Sequence, residues 1–343
     1  MAEENPLRPF LAKVAEGLAM NEAEAASAFR ILMEGQATDG QIGALLMALR
    51  LRKETVDEIT GAARVLRKMA LAIKAPAGAI DTCGTGGDAS STQNISTATA
   101  FVVAGAGVPV AKHGNRAVSS KSGSADVLEA LGVKLEAEPK RIERALREAK
   151  VGFLFAPHHH QAMRHVAGVR KELGMRTIFN LLGPLANPAL VKRIMVGVFD
   201  PALCTPFAHA LHALGTTHAW VVHGAGGLDE VSTTGPTHVS ALADGKVREF
   251  TISPDDLGLD TVTIDALHGG TPEENAASLR AVLAGAAGPY RDVVVMNAAA
   301  ALVAGGHEDT LATAGQRAVA AIDDGRALAA LDTLVEITNR SEG

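Results

Sequence analysis

Three glycines fall within four positions, at Gly84, Gly86 and Gly87, with Thr85 between them and Asp88 behind. Ala79 and Ile80 lead in as a short apolar strand. Thr92, Asn94, Ile95, Ser96 and Thr97 then open an apolar helical segment. Glycines without a Cβ let backbone N–H groups turn toward an anion, and a helix N-terminus adds the positive end of its dipole. Lys112, Arg116 and Lys121 bring cations to the next loop, which runs Lys112-His113-Gly114-Asn115-Arg116 and on through Ser119, Ser120 and Ser124. Hydroxyls, amides and an ammonium head are the donors a pyrophosphate needs. The chemistry indicated is a seat for a multiply phosphorylated small molecule.

Other readings of the glycines fit less well. Gly84-Thr85-Gly86-Gly87-Asp88-Ala89 matches the loose dinucleotide pattern, but residues 100–111 lack the acid that would hold a ribose hydroxyl. No Gly-Lys-Ser/Thr follows, so the loop is not a Walker loop. A plain tight turn would leave the polar helix start and the basic segment without a purpose.

Elsewhere, Asp229 and Glu230 stand side by side just past a strand ending at His223 and a glycine turn over 224–227. Adjacent carboxylates suit Mg²⁺, which takes one or two of them, keeps waters and bridges phosphate oxygens; a solvated acidic turn is the plain alternative. His158-His159-His160 resembles a metal tract, yet three consecutive residues do not point to one centre. His209 and His212 lie one turn apart with no third ligand in view. Arg170 carries a fork that suits a carboxylate, against the plain alternative of one more surface cation beside Arg164, Lys171 and Arg176.

These groups need elements to hold them. Asn21 with Glu24 and Thr55 with Glu58 form capping boxes, and Thr38 or Asp39 caps a third helix. Ala26, Phe29 and Met33, then Ile42, Leu45, Leu46 and Leu49, then Ile59, Ala62, Leu66 and Met69 mark their inner faces. From Ala79 strands and helices alternate: strands over 79–83, 108–112, 151–155, 193–199, 220–223 and 293–296, helices over 95–104, 125–131, 139–149, 161–182 and 201–214, and a helical C-terminus from Thr310. That alternation predicts an α/β fold: a small helical N-terminal domain, then a larger domain with a mostly parallel sheet covered by helices.

Composition agrees. The chain has 343 residues, 47% hydrophobic and 20% charged, with net charge −6, which disfavours a general nucleic-acid binder. The acidic N-terminus lacks a signal-peptide core. The richest apolar run, Val293 to Gly306, is broken by Asn297 and by glycines, so no membrane span is expected. Two cysteines, Cys83 and Cys204, without metal spacing, fit a reducing, cytoplasmic setting.

The blocks Asp81–Asp88, Asn94–Thr97, Lys112–Arg116, Ser119–Ser124, Phe153–Pro157, Arg176–Pro184 and Gly227–Val231 together resemble the anthranilate phosphoribosyltransferase family. They lie in the family's order and, with the helical N-terminus, cover nearly the whole chain. The resemblance implies phosphoribosyl pyrophosphate on Gly84, Thr85, Gly86, Gly87, Asp88, Thr92, Asn94, Ile95, Ser96, Thr97, Lys112, His113, Gly114, Asn115, Ser119, Ser120 and Ser124, under a closing loop. It implies anthranilate on Gly84, Asn115, His160, Met163 and Arg170, and two Mg²⁺ ions on Ser96, Asp229 and Glu230. It also implies a homodimer through the N-terminal helices. The helical domain would be discontinuous, 1–73 with part of 161–190, and 74–160 with 191–343 would form the phosphoribosyl-binding domain. Gln161 follows His160 where the family usually has proline, which bears on the local loop. A pyrimidine-nucleoside phosphorylase shares this fold but would lack Lys112-His113-Gly114-Asn115 and the acidic pair. A catalytically silent nucleic-acid-binding paralogue would carry a basic surface.

Overall fold

The computed structural model describes residues 5–86, 92–117 and 121–340. The expectations at Gly87, Asp88, Ser119 and Ser120 lie outside those residues. The chain opens with four helices, α1 (Arg8–Ala15), α2 (Glu22–Met33), α3 (Asp39–Arg52) and α4 (Val56–Met69). Asn21–Glu24, Thr38–Gln41 and Thr55–Glu58 each close a reciprocal capping box, so side chains satisfy main-chain donors at three successive helix starts. Phe29, Met33 and the four predicted α3 positions are buried, whereas Ala26 is half-buried and Met69 is 39% exposed at the C-terminal end of α4.

The larger part follows as β1 (Ile80–Gly84), α5 (Ile95–Gly105), β2 (Val110–Gly114), α6 (Ser124–Ala130), α7 (Pro139–Glu148), β3 (Val151–Phe155) and α8 (Ala156–His159). Then come α9 (Arg164–Leu173), α10 (Ile178–Leu185), β4 (Arg193–Gly197), α11 (Cys204–Ala213), β5 (His218–Gly224), β6 (Thr237–Ala243) and β7 (Lys246–Ile252). Four helices complete the chain: α12 (Pro272–Leu283), α13 (Pro289–Ala304), α14 (Leu311–Asp323) and α15 (Arg326–Asn339). The seven strands form one sheet in the order β3-β2-β1-β4-β5-β6-β7. β3, β2, β1, β4 and β5 run parallel, and β6 and β7 add an antiparallel edge.

The sheet separates two apolar layers by the strand's period of two. Met195, Trp220 and Val222 face the layer of α5 and α12 to α15, whereas Ile194, Val196, Ala219 and Val221 face α11, α10 and the N-terminal helices. Helix α9 packs on α2 and α3, and α10 on α4. No described helix is long and apolar enough to cross a membrane.

Several elements differ from the sequence expectation. Val293–Met296 lies inside helix α13, not in a strand. That run is buried on all sides, and an apolar run without polar alternation does not distinguish a core strand from a core helix. The second strand starts at Val110, not Val108, because Gly107 (φ +92°) turns the chain and Pro109 has no N–H to give a ladder. The helix expected over 161–182 is broken. A 3₁₀ turn covers Gln161–Met163, Gly174 (φ +58°) ends α9, and Thr177 with Asn180 caps α10. The hairpin β6–β7 and helix α12 are additional. The hairpin turns at Asp244-Gly245, both with positive φ, a pairing that sequence can reveal.

Candidate functional site

The chain leaves β1 for β2 and β3 on one side, then returns to β4 and β5 on the other. The C-terminal ends of β1 and β4 therefore form the switch point where open α/β sheets bind ligands. Gly84 and Gly197 pair there in register. A Cβ at Gly84 would run into the Asp229 carboxylate, and one at Gly197 into the Asp229 main-chain carbonyl. Two glycines thus let the turn after β5 lie directly over the strand ends. Asp229 Oδ2 accepts from the N–H of Gly86 at 2.6 Å, and Glu230 Oε1 from the N–H of Ser96 at 3.1 Å. Both acids are buried, at 8% exposure. Ser96 stands in the first turn of α5, so its free helix-end N–H and the dipole orient the Glu230 carboxylate.

Beneath this pair β1 meets β2 at Ile80↔Val110, and Lys112 bridges the strands further on. Its Nζ donates to Thr82 O at 2.6 Å and to Ser96 Oγ at 3.2 Å. Burial lowers the Lys112 pKa, opposed mainly by the charge of Asp81. Asp81 is wholly buried on β1, and no local pattern in the sequence marks its role. Its oxygens accept from the His113 N–H at 3.1 Å and from Asn187 Nδ2 at 2.8 Å. Burial pushes its carboxyl up to about 6, against the pull of Lys112 and those hydrogen bonds.

The polar helix start is held from the other side of the molecule. Asn94 Nδ2 donates to Ser122 O at 3.2 Å, Asn275 Nδ2 donates to Asn94 Oδ1 at 3.0 Å, and Tyr290 OH donates to Asn94 O at 3.3 Å. Thr92 forms an antiparallel bridge with His268. Ile95 and Thr97 are buried in α5, beside Ser96. Both sides of the basic loop close on Asp126, whose Oδ2 accepts from Ala117 N–H and Gly123 N–H, each at 2.9 Å. Ser124 Oγ donates to Asn115 O at 3.2 Å. A Cβ at Gly114 would meet that hydroxyl. The Arg116 guanidinium pairs with Asp126 at 3.0 Å and with Glu129 at 2.8 Å on α6. Lys121 is exposed, and Thr85 is buried at the strand end.

The helical side borders the site through His113. Its ring meets that of His160 edge to face, 5.1 Å between centroids, and its Nδ1 contacts Gly183 O at 3.1 Å. Burial depresses His113 to about 3 and His160 to about 4, so both are neutral at neutral pH. The Nε2 of each is buried with no hydrogen-bond partner. The three consecutive histidines diverge: His159 turns its Nδ1 to Leu71 O at 2.8 Å. Among the described residues no three metal-ligating side chains converge. Met163 ends the 3₁₀ turn after His160 and is half-buried. Arg170 lies on α9, half-buried, its guanidinium 5.2 Å from the centre of the Phe179 ring, and burial lowers its pKa. No carboxylate pairs with it among the described residues.

The chain sets a helical bundle beside an α/β sheet with an acid turn at its switch point. Residues 8–70 match the helical bundle domain of the glycosyl transferase family, and residues 77–328 match its α/β domain. The anthranilate phosphoribosyltransferase of Azorhizobium caulinodans is 58% identical over 331 residues, 96% of each chain. That of Mesorhizobium japonicum is 58% identical, over 97% of this chain and 99% of the relative. The crystal structure of the Thermus thermophilus anthranilate phosphoribosyltransferase superposes with a TM-score of 0.92 at 43% identity, covering 96% of this chain and 99% of that one. The Saccharomyces cerevisiae enzyme in complex with PRPP and Mg superposes at 0.90, with 27% identity over 98% of both chains. The chain belongs to the anthranilate phosphoribosyltransferase family.

Proposed function

We infer that this chain transfers the 5-phosphoribosyl group of phosphoribosyl pyrophosphate to the amine of anthranilate, releasing pyrophosphate, in tryptophan biosynthesis. The observation that carries this reading is the acidic turn laid over Gly84 and Gly197, facing Ser96 and the buried Lys112. The donor set there consists of hard oxygens, Asp229, Glu230 and the Ser96 hydroxyl, which fits Mg²⁺. These residues would hold the metal, two ions per subunit in this reading. Bound metal would neutralise charge on the departing pyrophosphate. Glycine-loop amides, the α5 N-terminus, Asn94 and the Asn115–Ser124 loop would seat the phosphoribosyl donor, over the ammonium of Lys112.

Anthranilate would lie toward His113, His160, Met163 and Arg170, with Asn115 and Gly84 at the junction. A planar guanidinium matches a benzoate carboxylate, and the amine is already a neutral nucleophile, so positioning outweighs a strong base. Packing of α9 and α10 on α2 to α4 supports a helical unit made of 1–73 with part of 161–190, and a phosphoribosyl-binding unit made of 74–160 with 191–343. Leu18 and Leu51, 52% and 79% exposed near the N-terminal helices, support a homodimer through that surface. We place the enzyme in the cytoplasm.

Pyrophosphate release from phosphoribosyl pyrophosphate and anthranilate tests the reading. Turnover should require both substrates and Mg²⁺, and Asp229→Asn and Glu230→Gln should each lower it by about 10²-fold or more at limiting Mg²⁺. Phosphorolysis of a pyrimidine nucleoside with no pyrophosphate release would overturn it.

A further inference from the structure

Helix α13 is apolar and buried through its middle, with one exception. Asn297 has no exposed surface and sits among Val293–Met296 and Ala298–Leu302. A buried amide costs free energy unless its donors and acceptor are met. Asn297 Oδ1 accepts from the Val231 N–H at 3.0 Å, and its Nδ2 donates to Val231 O at 2.7 Å and to Val293 O at 2.8 Å. The amide therefore pairs with both main-chain groups of one residue, as a neighbouring strand would. The Val231 N–H fixes which end of the amide is oxygen.

Val231 directly follows the acid pair. Rotating the peptide after Glu230 would break the buried bond from the Val231 N–H, and rotating the next peptide would break the bond to Val231 O. On its other side Asp229 is stopped by Gly197. Seven residues earlier on the same helix, about 10 Å along its axis, Tyr290 holds the main chain of Asn94. One helix thus references both the acid turn and the start of α5.

We propose that Asn297 is a positioning residue that presets the Asp229–Glu230 carboxylates for metal–pyrophosphate, while touching neither. This rests on the reading of those acids as metal ligands. The test is direct Mn²⁺ binding in the presence of pyrophosphate, followed by electron paramagnetic resonance, in the full-length protein. Asn297→Ala and the smaller change Asn297→Ser should weaken Mn²⁺ binding by about 10-fold or more, with the anthranilate KM within about twofold of wild type. Val293→Ala, a cavity in the same helix, should lose comparable thermal stability and keep wild-type Mn²⁺ affinity. Wild-type affinity in Asn297→Ala, or an equal loss in Val293→Ala, would overturn the proposal. Asp229→Asn, run alongside, separates the two ideas. If it binds Mn²⁺ like wild type, the metal reading fails; if it loses Mn²⁺ while Asn297→Ala does not, only the positioning role fails. Should both Asn297 variants fail to fold, hydrogen exchange on the wild-type protein decides. The Val231 amide should be protected before metal is added, and rapid exchange in the metal-free protein would refute presetting.

Discussion

Around the acid turn, Asp81 and Lys112 on the strands and Asn297 on α13 have their side-chain polar atoms paired within the chain, most of them with main chain. On the side toward the N-terminal helices, the Nε2 atoms of His113, near the end of β2, and of His160 have no hydrogen-bond partner among the described residues, and the Arg170 guanidinium lies over the Phe179 ring. Beside the acid turn the charged groups are paired within the chain, although the hydroxyls of Thr85 and Thr97 are buried there without a partner. The helical side keeps buried donors and acceptors in reserve, held by packing and ring contacts. Preorganised dipoles stabilise charge that develops in a reaction without reorganising at that moment. Unspent polar groups, by contrast, gain most when a ligand completes them. The difference fits the proposed division, with leaving-group chemistry beside the acid turn and acceptor recognition beside His113, His160 and Arg170.

A methyl group is the severest probe of that contrast. Gly197→Ala would drive a Cβ into the Asp229 main chain, so the acid turn must move. Turnover should fall by ~10³-fold, about 4 kcal/mol of transition-state stabilisation. Gly168→Ala on α9 meets nothing within 4 Å and should leave kcat within about twofold, with a slight gain in thermal stability. Comparable losses in both would dissolve the distinction between a rigid and an adaptable side.

Arg170→Ala comes next. Losing a charge-assisted bidentate contact in a partly desolvated site costs on the order of 2 kcal/mol, so the anthranilate KM should rise ~30-fold and the donor KM little. Arg170→Lys should recover little, because an ammonium lacks the fork. Steady-state kinetics with each substrate varied in turn would show it; a rise confined to the phosphoribosyl donor would move Arg170 to the other side.

The buried imidazoles set a pH signature. His113 and His160 are depressed to about 3 and about 4, so each binds its proton more weakly folded than unfolded. Their contribution is present above ~6.5 and is lost as pH falls toward those values. Asp81, raised to about 6, works the other way: its contribution is complete below ~4 and lost as pH rises through about 6. Between pH 7 and 5, His160→Gln should lose about 2 kcal/mol less stability than wild type. Denaturant midpoints at the two pH values would measure this, and parallel losses would mean that His160 is not held neutral.

The smallest effect should come from Arg116→Ala. Its guanidinium serves Asp126 and Glu129 at an exposed edge, so the donor KM should change by less than about threefold and stability by less than about 1 kcal/mol. A large rise in that KM would return Arg116 to the phosphate side.

Much of this is legible in the residues. Glycines before a polar helix start, two capping boxes with a third helix cap, and the alternation of strand and helix announce an anion seat on an α/β scaffold, because local geometry and periodicity dictate them. The family's blocks carry the candidates Asp229, Glu230 and Lys112, and the resemblance as a whole adds Arg170. The hairpin at Asp244-Gly245 is readable too, from turn chemistry alone. Val293–Met296 is not: apolarity on every side carries no period, and only packing between α5 and α14 makes it helix. Asp81, Asn187, Asn275 and Asn297 are equally silent as functional residues. Each finds its partner only after folding brings a distant segment near, as when Asn275 reaches Asn94 across 181 residues and Asn297 reaches Val231 across 66. Sequence records which side chains can give or accept a proton or a charge. The tertiary structure decides which are spent on the chain itself and which remain for a ligand, since that depends on distances no local pattern encodes.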